Sequence, residues 1–226
     1  MAPLKTKSHK PTSEPPSLVE ENGLSSRGYR LIAGIDEAGR GALAGPVVAA
    51  AVVLPQCADF PRLRSVRDSK EIPAAKRDFL FPLIEEEAIA IGVGIVAPEI
   101  IDSIGIINAT RIAMCQAVEH LTCSPDFLLI DWLSLPQLRI SQKGIARGDK
   151  LCLSIACASI IAKVTRDRIM VELDVRYPAY GLAQHKGYGT RQHFSRLCQH
   201  GPSPIHRYSF APIRESSTPR SQFAIS

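Results

Sequence analysis

The sequence predicts an α/β domain built on a mixed sheet, and three observations predict it. Apolar runs at 29–35, 45–54, 89–97 and 127–130 have strand length and are bounded by turn-forming or polar residues. The stretches 74–87, 98–121 and 154–175 carry apolar or small residues at helical spacing. Strands followed by alternating helices and strands give the order of an α/β fold rather than an all-β or all-α one.

Each element has its own justification. Residues 29–35 form a first strand, and 45–54, almost wholly apolar, a second one covered on both faces. The short Gly-rich loop between them predicts an antiparallel hairpin. Residues 74–87 read as a helix and 89–97 as a third strand. Within 98–121, Ile107, Met114, Ala117, Val118 and Leu121 recur at helical spacing, which leaves room for one or two helices. A short strand at 127–130 stops at Asp131, and 138–146 has space for a fifth strand. The long helix 154–175 opens with Ala156, Cys157, Ala158, Ser159 and Ala162, small residues that let a helix approach a sheet closely. Beyond residue 177 the chain is loop-rich, with a helix around 191–200.

The 226 residues, 45% of them hydrophobic, suffice for one sizeable core with tails. Residues 1–28 are polar and Pro-rich and read as a flexible tail, as do 214–226; the domain is placed at 29–213. No apolar run reaches the roughly 18 residues of a membrane span, and residues 1–28 lack the apolar centre of a secretory signal. No Cys-x-x-Cys pair occurs among the six cysteines, so reduced thiols in a cytoplasmic protein are expected. A formal net charge of +5 suits a polyanionic partner without proving one.

Four acids sit where strands stop or helices begin. Asp36 and Glu37 end the first strand, Asp131 ends the fourth, and Asp149 precedes the long helix. An acid at the end of an apolar strand is partly desolvated, which is costly without a positive partner. Each acid has a plainer reading: Asp36 as a turn starter, Glu37 as a surface partner of Arg40, Asp131 as an acceptor of loop amides, Asp149 as a helix cap. Together they form an oxygen-only donor set that suits Mg²⁺ or Mn²⁺ rather than zinc. Such a site in a basic protein points to phosphoryl transfer on a polyanion, where two ions activate a water and stabilise the leaving oxygen. Behind the acids, Gly39, Gly41 and Gly45 surround Arg40. They make either an amide nest for a phosphate or sugar hydroxyl, or a plain hairpin loop.

Longer motifs carry a resemblance. "GIDEAGRGALAGPVVAAAVVLP" (34–55) resembles the opening motif of the type 2 ribonuclease H family in its bacterial form, ribonuclease HII. "RDSK" (67–70), "PEIIDSIGIINATRIAM" (98–114), "LLID" (128–131), "RGDKLCLSIACASIIAKVTRD" (147–167), "GLAQHKGYGT" (181–190) and "HRYSF" (206–210) resemble its later motifs in order. The resemblance implies a ribonuclease H-like sheet, its first three strands antiparallel and the later ones parallel, flanked by helices, with a C-terminal helical and loop extension. It also implies cleavage of RNA in RNA/DNA hybrids and of single ribonucleotides embedded in duplex DNA, on the 5′ side, leaving 5′-phosphate and 3′-hydroxyl ends. By position, Asp36, Glu37, Asp131 and Asp149 become its metal-binding acids, holding two Mg²⁺ or Mn²⁺ ions. Gly39, Arg40 and Gly41 become the element that reads a ribose 2′-hydroxyl through backbone groups. Tyr188 becomes the ring that packs on the sugar of the next deoxynucleotide, in place of a loop aromatic capping the core. Lys70 and Lys163 are phosphate contacts, Lys163 being equally a snorkelling helix lysine. Asp167 ranks below the four acids, as a helix-surface partner of Arg166 or Arg168. A monomer is expected, and a replication-clamp partner is not readable. Four departures from the family pattern stand out: Ala42 for proline, Trp132 for glycine, Cys157 for alanine, and Glu71-Ile72 for a basic-apolar pair. A DNA nuclease without ribose selectivity, or a non-catalytic hybrid-binding module, would share most of these features. Cleavage of a duplex carrying one ribonucleotide separates the three.

Overall fold

A computed structural model describes residues 14–56 and 58–217. In chain order the elements are α1 (Val19–Ser25), β1 (Ile32–Ala38), β2 (Val47–Val53), a 3-10 turn (Pro61–Leu63), α2 (Ala74–Glu87), β3 (Ala90–Val96), α3 (Pro98–Ile104), α4 (Ile106–Glu119), β4 (Phe127–Asp131), β5 (Ser141–Ile145), α5 (Gly148–Leu151), α6 (Leu153–Arg176), α7 (Leu182–His185), α8 (Arg191–His200) and α9 (Ala211–Ser217).

One five-stranded sheet runs β3-β2-β1-β4-β5. β1–β2 and β2–β3 pair antiparallel, β1–β4 and β4–β5 parallel, the mixed topology expected. β2 is buried along its whole length. Val47, Ala49, Ala51 and Val53 face a core shared with Ala113, Met114 and Ala117 of α4. Ala50 and Val52 face the opposite core with Ala156, Ile160 and Val164 of α6 and Leu80 and Ile84 of α2. The period-two alternation of an almost continuously apolar strand thus feeds two helical layers.

Several boundaries shift for identifiable reasons. β1 starts three residues later than expected because the amides of Arg30 and Leu31 are taken by the Asp126 carboxylate, at 2.7 and 3.1 Å. It runs on through Asp36 and Glu37, which stay paired opposite Ala50 and Ala49. The 98–121 stretch is two helices because Gly105, at φ 80°, closes α3 and opens α4. β5 is mostly exposed, as an edge strand with one solvated side, so its sequence carried little apolar signal.

The expected tail 1–28 requires correction over its described part. Residues 14–28 pack on the domain through α1. Ser17 bridges in parallel to Cys152, and the Glu21 carboxylate accepts from the Ser154 amide (3.0 Å) and hydroxyl (2.6 Å). Cys152, at the α6 N-cap, offers no side-chain cap, so an acid from α1 supplies one in its place. Residues 1–13 and 218–226 lie outside the described residues; α9 carries the domain four residues past the expected boundary at 213. Among the described residues no helix is long and apolar enough to cross a membrane.

Candidate active site

β1 and β4 are parallel neighbours at the centre of the sheet, and their last residues present the acids. Ile35 and Ile130 are the last pair of the β1–β4 ladder, so Asp36 and Asp131 follow side by side just beyond it. Sites of open α/β sheets collect at such carboxyl ends. The turn after β5 enters α5, which delivers Asp149 to the same point. One oxygen each of Asp36, Asp131 and Asp149 lies within 4.8 Å of the others.

The electrostatics of this group are self-opposing. Burial, then the charges of Glu37 and Asp131, hold Asp36 well above the usual carboxylate range. Burial also raises Asp131, against the 2.8 Å bond it accepts from the Gly148 amide. Asp149 is pushed up to about 6 by burial and by the charges of Asp68 and Asp131. Lys70 reaches over the group, 3.6 Å from Asp149 and 3.8 Å from Asp68. Burial opposes its charge, but Asp36, Asp68 and Asp149 outweigh that and raise it.

Glu37 stands apart from the triad because adjacent residues of a strand face opposite sides. One of its oxygens accepts from Arg40 at 2.9 Å, the pairing that the plainer reading anticipated, although Glu37 itself is 8% exposed. Its other oxygen, like Asp36 Oδ2, is buried without a partner. Two orphaned carboxylate oxygens beside three clustered acids fit a divalent cation: a hard ion supplies the missing partner and relieves the repulsion.

The Gly-rich loop is held from behind. Gly39 sits at φ 91°, and a Cβ there would lie 1.9 Å from Arg166 Nε. Gly41 is exposed and borders open space. Ala42 is buried, and its amide donates to Gly39 O at 3.2 Å. Proline has no such donor, so a backbone bond here stands in for a fixed ring. Trp132 adopts φ 51°, which accounts for glycine as the residue of the family pattern. The Arg40 guanidinium stacks on its ring, 4.3 Å from the ring centroid, and the same side chain lies beside Glu37, favouring its charged form.

Tyr188 is half-buried on the segment after α7. Leu43 N donates to Gly187 O at 2.8 Å, so this segment is tied to the Gly-rich loop. Lys163 lies 5.5 Å from the Tyr188 ring centroid and is bound to Asp167 at 2.6 Å. Asp167 therefore pairs with Lys163 and Arg77, not with Arg166 or Arg168 as the sequence suggested. Arg166 is turned inward, with no exposure. A cavity of about 690 Å³ between α2, α6 and α7 is lined by Arg77, Lys163, Asp167, Arg168 and Tyr188, and the acid cluster does not reach it.

Asp68 was not singled out by sequence reasoning. It is buried beside Asp149 and accepts from the Lys70 amide at 2.9 Å, which orients the loop carrying Lys70. Its signal lay in the quoted "RDSK", where the lysine drew the attention.

A family description, Ribonuclease HII, matches residues 33–213. The chain is 58% identical over 199 residues to Ribonuclease HII of Dehalococcoides mccartyi strain BAV1, covering 88% of this chain and 94% of that one. Among solved structures it is similar to the ribonuclease H2 from Pyrococcus horikoshii OT3, at 26% identity and TM-score 0.69 over 82% of this chain and 96% of that one. It is also similar to the RNase HII seen with PCNA from Archaeoglobus fulgidus, at 26% identity and TM-score 0.62 over 78% and 93%.

Proposed function

This chain belongs to the ribonuclease HII family, and on that footing we propose that Asp36, Glu37, Asp131 and Asp149 are the acids with which it holds two Mg²⁺ or Mn²⁺ ions. It is a metal-dependent endoribonuclease that hydrolyses RNA in RNA/DNA hybrids. It cuts on the 5′ side of single ribonucleotides embedded in duplex DNA, giving 5′-phosphate and 3′-hydroxyl ends. The observation that carries the site assignment is the triad within 4.8 Å at two adjacent strand ends, flanked by orphaned oxygens of Asp36 and Glu37. Bound divalent cations supply an activated water and neutralise charge on the phosphate.

The remaining work falls to other side chains. Lys70, above the acids, contacts a phosphate and offsets charge that develops there. Arg40 is held between Glu37 and the Trp132 ring, so its backbone is presented in one orientation. The amides of the 39–41 loop then meet a ribose 2′-hydroxyl. The Tyr188 ring lies against the sugar that follows and favours one lacking that hydroxyl. Lys163, tied to Asp167, keeps positive charge beside that ring. The enzyme acts as a monomer in the cytoplasm, where thiols such as the five described free cysteines stay reduced.

Incubation of a DNA duplex carrying one ribonucleotide with Mg²⁺ or Mn²⁺ tests this reading. One cut at the 5′ side of the ribonucleotide is expected, and Asp36→Asn should lower kcat on the order of 10³-fold. An uncut duplex, or an Asp36→Asn variant as active as the parent, would overturn the assignment.

A further inference from the structure

Two arginines behind the Gly-rich loop have no part in the assignments above. Arg166, on α6, and Arg207, after α8, are both without solvent exposure. No ion pair joins either of them to an acid among the described residues. Burying a guanidinium unpaired is costly, so its donors must be matched by oriented acceptors. The acceptors here are all backbone carbonyls. Arg166 donates to Ala44 O (3.0 Å), Pro46 O (2.9 Å) and Lys186 O (2.9 Å). Arg207 donates twice to Gly45 O (3.0 and 2.9 Å) and once to Arg40 O (3.0 Å). Four of the five carbonyls belong to residues 40–46, and the fifth stands two residues before Tyr188.

The bond to Arg40 O has a directional consequence. The carbonyl of Arg40 and the amide N–H of Gly41 share one planar trans peptide and point in opposite directions. A carbonyl drawn inward onto Arg207 therefore turns the Gly41 N–H outward. Gly41 is exposed and faces open space, so that donor is free for a ligand. Arg166 ties this loop to the Tyr188 segment through a single planar group. A rigid fork with several donors does this, whereas a lysine ammonium offers one charge centre on a flexible stem.

We propose that Arg166 and Arg207 are the positioning residues for ribose discrimination: buried guanidiniums that aim the Gly41 amide and fix the spacing between the 39–41 loop and Tyr188. This deepens the reading that the loop and Tyr188 sense a ribonucleotide, and it rests on that reading.

The test compares R207K and R166K with the parent protein in Mg²⁺. It measures KM for a duplex carrying one ribonucleotide and the competitive inhibition constant of the matching all-DNA duplex. The ratio of inhibition constant to KM should fall about tenfold in each variant, while the Mg²⁺ activation midpoint stays within about twofold. A residue that only stabilises the fold would lower activity without moving this ratio. An unchanged ratio in a variant whose circular dichroism and thermal midpoint show it folded overturns the proposal and leaves the sensing reading intact. A parent protein that binds both duplexes equally removes the sensing reading and the proposal with it. Should neither variant fold, amide exchange on the parent decides. Protection of Gly41 by the ribonucleotide duplex alone supports the proposal, and equal protection by both duplexes overturns it.

Discussion

Asp149 shows at the residue scale why the acid cluster favours a cation over its own company. Burial and the charges of Asp68 and Asp131 push its carboxyl up to about 6 from an ordinary 3.8. The native state then binds more protons than the unfolded chain between those values, so the metal-free fold loses stability as pH rises through that window. Asp149→Asn removes the charge that burial penalises. The variant should be more stable than the parent by about 1–2 kcal/mol at pH 7.5 without metal, and by little at pH 4. Urea unfolding in EDTA measures this, and added Mn²⁺ should stabilise only the parent strongly. An equal gain at both pH values would dissociate the effect from ionisation. Asp36, Glu37 and Asp131 stand out in the sequence because each closes an apolar run, where a desolvated charge is conspicuous, and Asp149 because it precedes the long helix. Asp68 does not, since it sits in a polar loop whose burial depends on contacts with α6, such as the 2.7 Å bond between Ser69 and Ser159.

At the element scale, the long helix α6 organises the molecule and depends on a cap from elsewhere. Glu21 of α1 accepts from the amide and hydroxyl of Ser154 in the first turn. Its carboxylate is buried there, and burial raises its pKa. Glu21→Ala should cost about 1–3 kcal/mol, since two buried donors lose their acceptor, and Glu21→Gln should cost less because an acceptor oxygen remains. A shift of the urea midpoint at constant slope measures it; no shift for Glu21→Ala would mean that α1 does not support α6. The extents of α2 and α8 agree with the helices expected at 74–87 and around 191–200. α1 was not expected, because a seven-residue helix has little apolar pattern of its own and forms against a partner.

At the scale of the whole molecule, the C-terminal segment forms a further core with Leu43, Ala44 and Met170 and brings Tyr188 to the Gly-rich loop. Its buried imidazoles make a chain. His206 Nδ1 meets both the amide (3.0 Å) and the carbonyl (3.2 Å) of Ser203, His206 and His193 share a 3.0 Å bond between their Nε2 atoms, and His193 Nδ1 donates to Tyr188 O. The bond between the two Nε2 atoms holds one proton, so the two rings cannot both be protonated while it lasts. Burial accordingly lowers both His193 and His206 to about 4 from 6.5. The unfolded chain binds more protons between these values, so stability present above pH 6.5 is lost as pH falls toward 4, by roughly 3 kcal/mol for one ring. Thermal midpoints between pH 7.5 and 4.5 should show this fall, and His206→Gln should flatten it; an unflattened profile would place the acid sensitivity elsewhere. The sequence by itself determined the α/β order, the strand and helix identities along most of the chain and the places of Asp36 and Asp131 near strand ends, because periodicity, chain order and charge at strand ends are local properties. Tertiary structure alone decided that Glu37 pairs with Arg40 at the edge of the triad, that α1 caps α6, and that Arg166 and Arg207 face inward onto carbonyls. The reason is physical: a charged residue written in a helix or loop looks solvated until distant backbone supplies the acceptors that let it be buried.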